Sequence, residues 1–226
     1  DKISLEEAAA NLRIEELEQD GKTYKLGVLE LPSFYGDNNP ANRQSSRDML
    51  KLLKQANKEK VDGLLLDLSR NGGGLLENAV EIAGLFVEEG GVVAVKDTYG
   101  KLLVMDDPDD SIVYSGPLVV LTSRVSASAS EIVAGAMKDY GRAVLVGDDH
   151  TFGKGTVQSM VRLPDGIGAL KVTTQLFFRP GGMSTQHEGV PTDLQIPATV
   201  NVDDFGEKHQ PYSLEPQQVA PFVHDE

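Results

Sequence analysis

No cysteine occurs in the 226 residues of this chain. That excludes disulfides, thiolate catalysis and cysteine-ligated metals. It leaves the compartment open, because cysteine-free chains occur on both sides of a membrane. Positive charge is also scarce: 21 lysines and arginines face 35 aspartates and glutamates, for a formal net charge of −14. So acidic a balance argues against electrostatic capture of nucleic acid or of an anionic membrane. No apolar run reaches the roughly 18 residues that cross a bilayer. No internal repeat is found, and Asp1–Glu6 does not make a signal peptide. The chain opens without methionine, as a fragment or a processed product would. What remains is an ordinary globular composition, 40% apolar, long enough for one large domain or two small ones.

Strand and helix patterns alternate along it. Residues 1–23 are polar and acidic, with a short helix or linker turn at Leu5–Ala10 and a turn signal at Gln19–Lys22. Tyr24–Leu31 alternates as a strand does. Pro32–Pro40 is rich in turn formers. From Gln44 to Lys60, Met49, Leu50, Leu52, Leu53 and Ala56 form a helical stripe. Val61–Leu68 is a continuous apolar run, the pattern of a buried parallel strand. Leu75–Val87 reads as helix and Val92–Val95 as strand. Residues 97–111 read as loop, most acidic at Asp106–Asp110. A strand at 117–122, a helix from 129 to about 140 and a strand at Ala143–Val146 complete the series. Alternation of this kind predicts βαβ units in an α/β layer. Gly155–Leu163 and Ala169–Phe178 then read as two strands around the turn at Pro164–Gly166. The tail from about 201 is acidic and reads as peripheral.

Chemistry concentrates in three places. Ser126-Ala127-Ser128-Ala129-Ser130-Glu131 sits where a strand turns into a helix. Ser128 and Glu131 match a capping box, which is the plain reading. A serine at such a corner also has a nucleophile's position, beside the free N–H groups of a first helical turn, although no Gly-x-Ser-x-Gly occurs. A serine needs a base. His150, His187, His209 and His224 all sit in ordinary loop or tail settings. Lys154, between Gly153 and Gly155, is either a surface turn lysine or a buried one whose neutral amine can accept a proton. It is not a phosphate-loop lysine, because the glycine spacing and the residue after it both fail that motif. Ser69-Arg70-Asn71-Gly72-Gly73-Gly74 closes a strand and opens a helix. It is either a flexible turn or an anion-binding nest of amides.

Taken in order, these segments resemble the C-terminal processing peptidases, also called tail-specific proteases. The resemblance rests on Ser126–Ile132 and Thr151–Gln158, on Asp67-Leu68 leading into Asn71–Gly74, and on Gly182–Gln186 and Gly189–Asp193. It spans roughly 24–197. The run Ala136–Arg142 resembles the bacterial periplasmic subgroup. The resemblance implies a crotonase-like α/β core and a serine–lysine endopeptidase that selects proteins by an apolar C-terminus, with no metal or organic cofactor. It implies Ser128 as nucleophile, Lys154 as general base and Gln158 as the residue that orients the lysine. Ala129 and Gly74, or Gly73, would supply oxyanion amides, each worth roughly 3–4 kcal/mol. Glu131 and Asp139 would be supporting acids. An extracytoplasmic location, protein or peptide substrates, a PDZ domain in the intact parent and an adaptor lipoprotein are further implications.

The domain reading that follows is a linker after a missing PDZ domain at 1–23, a peptidase core at 24–200 and a peripheral tail at 201–226. Departures exist. Ser69 stands where the family strand continues with arginine, and the loop Gly147–Thr151 is one residue longer than the pattern. The resemblance implies a protease core without the PDZ domain and the C-terminal helical region of larger relatives. A non-catalytic scaffold and another crotonase-like acyl-transforming enzyme are the alternative functions.

Overall fold

The computed structural model describes residues 9–37, 39, 41–107, 111–164, 166–197 and 205–223. In chain order the elements are β1 (Asn11–Gln19), β2 (Lys22–Glu30), α1 (Ser45–Glu59), β3 (Gly63–Asp67), α2 (Leu76–Gly84), β4 (Gly91–Asp97), β5 (Leu102–Asp106), β6 (Leu118–Thr122), α3 (Ala129–Asp139), β7 (Val144–Gly147), β8 (Thr156–Arg162), β9 (Ala169–Phe178) and β10 (Leu194–Gln195). They form a six-stranded sheet, β1-β2-β3-β6-β7-β10, and a four-stranded one, β5-β4-β9-β8. From β2 to β10 the large sheet is parallel, with β1 antiparallel on its edge. The small sheet is antiparallel throughout.

The helical stripe of α1 buries Met49, Leu53 and Ala56, while Asp48 in its first turn and Lys58 in its last complement the helix dipole. Each fully buried leucine or methionine contributes roughly 1.5–3 kcal/mol. Lys60 ends the helix in the left-handed region, at φ 55°. Leu64 and Leu66 of β3, Leu118 and Val120 of β6 and Leu145 of β7 share one core with α2, α3, Val92, Val93 and Val95 of β4, and Phe177 of β9. Helices α2 and α3 therefore lie between the large sheet and β4. The apolar run of β3 is buried on this face only. Leu65, and Val119 beside it on β6, are half-buried on the other face, where an apolar hollow of about 740 Å³ lies between Leu26 and Val144.

Three expectations change, and one short strand is added that the sequence did not suggest. Residues 11–19, read as linker, form β1, which pairs with β2 along its whole length. Part of the stretch 97–111, read as loop, forms β5 against β4. Two residues at 194–195 add β10 beside β7. The tail is not peripheral where it is described: Val219 N–H donates to Gly182 O at 2.9 Å and Phe222 N–H to Pro180 O at 2.8 Å. Leu5–Glu7, Pro108–Asp110, Asp165 and His224 lie outside the described residues.

Candidate active site

Three neighbouring parallel strands, β3, β6 and β7, end at the same edge of the large sheet. The carboxyl end of β3 runs into Ser69–Gly74, that of β6 into Ser126–Ser130, and that of β7 into the loop carrying Lys154. Ligand sites in open α/β sheets form at such ends. The topology therefore brings together three segments that are far apart in sequence.

The outer serines of Ser-Ala-Ser-Ala-Ser are structural. Ser126 is fully buried; its Oγ donates to Leu68 O at 2.8 Å and accepts Ser123 N–H at 2.9 Å. Ser130, also fully buried, donates to Asn71 O at 2.7 Å, and Ala127 N–H reaches the same carbonyl at 3.2 Å. Both serines stitch the helix start to the glycine turn. Half-buried Ser128 between them takes a backbone conformation that L-residues rarely adopt, φ 58° and ψ −114°. Strain of this kind, on the order of 1–3 kcal/mol, persists only where the surroundings impose it.

Glu131 does much of the imposing. Its carboxylate is completely buried and accepts four hydrogen bonds. Oε2 takes Ser128 N–H at 2.8 Å and Lys154 N–H at 2.9 Å. Oε1 takes Thr151 Oγ1–H at 2.6 Å and Gly153 N–H at 2.7 Å. One oxygen thus holds the backbones of Ser128 and Lys154 two hydrogen-bond lengths apart. Burial pushes the Glu131 carboxyl up to about 7, opposed by the bond from Thr151 and the three backbone amides. The capping reading of Ser128 and Glu131 survives, extended to a second loop. Gly153 stands at φ 91°, and a methyl there would meet His187 O at 2.7 Å, so the loop packs too tightly for a side chain.

The glycine turn is organised by fully buried Asn71. Its Nδ2 donates to Leu31 O at 2.8 Å, and its Oδ1 accepts Gly73 N–H at 2.9 Å. Gly73 presses on the serine corner: at φ 107°, an added Cβ would lie 2.8 Å from Ala127 O and 2.9 Å from Ser128 Cβ. Its amide is committed to Asn71. The amides of exposed Gly74 and of Ala129 have no partner among the described residues, so these two are available to a ligand. The role of Asn71 was hidden within a motif that could be quoted but not interpreted, because its partners lie up to 59 residues away.

Lys154 is half-buried. Burial, and then the charge of Lys171, lower its pKa from 10.5, while Glu207 and Glu131 oppose the shift. Its side chain makes no hydrogen bond or ion pair among the described residues, so it is not bonded to Ser128 Oγ in this state. Gln158 is exposed on β8, just past a register shift, without a hydrogen bond to the lysine. Asp139 ends α3, roughly 15 Å along the helix from Ser128. There it accepts Gly181 N–H at 2.7 Å and pairs with Arg179 at 3.3 Å. His150 bonds Thr151 O, and His187 bonds Ser213 Oγ; neither bonds Ser128. Ser69 turns onto Asp67 at 2.6 Å, and the long loop is pinned by Asp149 to Arg124 at 3.0 Å. No cluster of three or more acidic or histidine side chains suited to a metal occurs among the described residues.

A second layer holds the lysine loop. Buried Gln186 accepts Gly155 N–H at 2.8 Å and donates to Leu214 O at 2.9 Å. Glu207 N–H donates to Phe152 O at 3.0 Å, and Phe205 packs edge-on against Phe152 at 5.5 Å. The tail therefore contacts Phe152 directly and reaches Gly155 through Gln186.

Comparison with known proteins gives a consistent picture. The profile of peptidase family S41 matches residues 25–196. A tail-specific protease of Haemophilus influenzae is 39% identical over 221 residues, covering 95% of this chain and 30% of that protein. A chloroplastic C-terminal processing peptidase of Tetradesmus obliquus is 36% identical, covering 80% of this chain and 37% of that protein. Among solved structures, a photosystem II D1 C-terminal processing protease superposes with a TM-score of 0.70 at 31% identity, over 83% of this chain and 48% of that one. The chain thus spans about a third of the length of these two curated relatives.

Proposed function

The chain belongs to peptidase family S41, and from that premise we propose that it carries the catalytic centre of a serine endopeptidase built on Ser128 and Lys154. Neutral Lys154 takes the Ser128 hydroxyl proton as Oγ attacks the substrate carbonyl. The oxyanion is received by the amides of Ala129 and Gly74. Lys154, now an ammonium, returns the proton to the departing amine, which leaves an acyl-enzyme on Ser128. Water then attacks the acyl-enzyme, giving a proton to Lys154, which passes it to Ser128 Oγ as the acid departs. The observation that carries this reading is Glu131 Oε2, which accepts both Ser128 N–H and Lys154 N–H. A helix cap needs the first bond only. The unbonded lysine fits a resting state, since catalytic hydrogen bonds often tighten only with substrate bound. Burial lowers the lysine's pKa, which is the direction a neutral amine requires.

By similarity to the tail-specific protease, the substrates are proteins selected by an apolar C-terminus, met outside the cytoplasm, with a PDZ domain presenting the tail and an adaptor lipoprotein assisting. The core is crotonase-like, and Gln158 swings to orient Lys154 once substrate is bound. The test is cleavage of an unfolded protein with an apolar tail, together with labelling by a fluorophosphonate. Ser128→Ala abolishes both. Lys154→Ala abolishes cleavage and slows labelling at least a hundredfold. Full activity in either variant refutes the pair. Binding of a CoA ester without labelling favours the acyl-transforming alternative.

A further inference from the structure

Strand β8 begins two residues beyond Lys154, and its only ladder partner among the described residues is β9. The register tells which of its backbone groups are free. Leu163 N–H donates to Gly168 O at 3.0 Å, so that pair is hydrogen-bonded. Antiparallel alternation then makes Val161 with Leu170, and Ser159 with Val172, the bonded pairs. Gln158, Met160 and Arg162 are left with their N–H and C=O groups turned to the open edge. On the other side of the shift between Val157 and Gln158, Phe177 N–H donates to Gly155 O at 2.9 Å. The ladder thus runs up to the residue beside the catalytic lysine.

This edge lacks the usual protection. Strands left open are normally shortened, charged, interrupted by proline or covered, because a free row of amides and carbonyls recruits another chain. β8 has seven residues and no proline, and Met160 and Val161 are 65% and 48% exposed. Its one charged residue, Arg162, lies at the end remote from Lys154.

We propose that the open edge of β8 takes an extended segment of the polypeptide substrate as an added strand and leads it to Ser128. This inference rests on the reading of Ser128 and Lys154 as the catalytic pair. Strand addition draws its affinity from main-chain hydrogen bonds. Three outward residues offer three donors and three acceptors over about 13 Å. Recognition of this kind suits a peptidase that must accept many sequences, and it requires the substrate segment to be unfolded. Continuity of the edge with the lysine loop favours substrate over a second copy of β8 as the occupant.

Met160→Pro is the direct test. It removes an outward N–H while leaving the bonds to β9 intact, since proline is tolerated on an edge where its nitrogen faces solvent. With an unstructured synthetic peptide ending in valine and alanine, KM rises about tenfold or more, and kcat stays within about threefold. A second measurement does not depend on how the proline variant folds. In Ser128→Ala saturated with the same peptide, the amides of Gln158, Met160 and Arg162 gain protection from hydrogen exchange. Those of Ser159 and Val161 are protected with or without peptide. An unchanged KM in Met160→Pro, or no new protection at those three amides, overturns the proposal. So does protection that appears without peptide and grows with protein concentration, which assigns the edge to a second copy. Fluorophosphonate labelling separates the two readings: if wild-type Ser128 does not react, the catalytic reading fails, and the exchange result still reports on the edge.

Discussion

The corner that holds Ser128 and the arm that carries the Lys154 side chain are built on opposite plans. The corner is over-determined. Ser126, Ser130, Asn71 and Glu131 are fully buried, and each is bonded to a segment distant in sequence. Gly73 admits no side chain, and the backbone of Ser128 is held in an uncommon conformation. The arm is anchored at its base, through the amides of Gly153, Lys154 and Gly155, and from there on one side only, by β9. Beyond that, the lysine side chain is unbonded, and from Gln158 to Arg162 β8 is exposed. The difference is instructive about acyl transfer. The oxyanion donors must be in place before charge develops, because reorganising them during reaction removes their advantage. On the proposed reading, Lys154 as base has four rotatable bonds and need reach its position only when substrate is bound. Rigidity is thus concentrated where preorganisation counts.

The largest effect that tests this contrast comes from Glu131, which joins the two regions. Glu131→Gln keeps the shape but replaces one oxygen by a donor facing donors. At least two buried amide or hydroxyl donors lose their acceptor, at roughly 1–3 kcal/mol each. Activity is expected to fall at least a hundredfold, since both Ser128 and Lys154 shift. The stability of the variant has a distinct pH signature. Wild-type Glu131 is raised from 4.5 to about 7 by burial. Between those values the folded state binds the extra proton, so the stability this group contributes is greatest below 4.5. It is lost as pH rises through about 7, by roughly 3 kcal/mol. Glu131→Gln lacks that slope. Denaturant titration at several pH values measures it; identical slopes in the two proteins mean that the carboxylate is not isolated as the structure has it.

A smaller effect belongs to the arm. A half-buried Lys154 with a lowered pKa gives a rate that rises with pH as the amine loses its proton, with an apparent value below 10.5. In stability the sign is also fixed. A depressed lysine contributes fully above 10.5, and that contribution is lost as pH falls through the folded-state value. Lys171→Ala removes the second cause of the shift, a like charge, and should move the limb of the rate profile upward. Wild-type rate also falls as pH drops through about 7, where Glu131 gains a proton, and that lower limb disappears in Glu131→Gln. Profiles of kcat/KM for the two variants separate corner from arm; a single limb unaffected by either breaks the distinction.

Legibility in the sequence follows the same division. The units from β2 to α2 and from β6 to β7 were visible because apolar periodicity is local. Strands β1 and β5 were not: Asn11–Gln19 carries three glutamates and is largely exposed, and Leu102–Asp106 is short and borders acidic residues. Their formation comes from pairing with β2 and β4 rather than from an apolar pattern. Ser128, Lys154 and the glycine turn stood out through ordered motifs. The jobs of Asn71, Gln186 and the outer serines did not, because each is defined by a partner tens of residues away. Asp139 matched a family position, yet its bonds here are to Arg179 and Gly181. The tail had no periodicity to read, since it is held by single backbone hydrogen bonds to 180–184 and to Phe152.

That tail gives the smallest and most selective test. Phe205 packs edge-on against Phe152 at 5.5 Å, and Glu207 N–H reaches Phe152 O at 3.0 Å. Both contacts bear on the residue two positions before Lys154, whose own N–H donates to Ser126 O at 2.9 Å. An edge-to-face pair contributes about 0.5–1.5 kcal/mol beyond its buried area, so Phe205→Ala should lower stability by about 1–2 kcal/mol. The corner has no bond to Phe205, and its amides remain where Asn71 and Glu131 hold them. Labelling of Ser128 by a saturating fluorophosphonate should therefore still reach completion. Turnover of a polypeptide depends on the arm, and kcat/KM should drop about two- to fivefold, mainly in kcat because the edge of β8 is untouched. If labelling falls in parallel with turnover, the tail supports the corner as well, and the two regions are one cooperative unit. If neither changes while stability drops, the tail is only a fastening. A loss confined to turnover locates the adjustable part of the site on the lysine side.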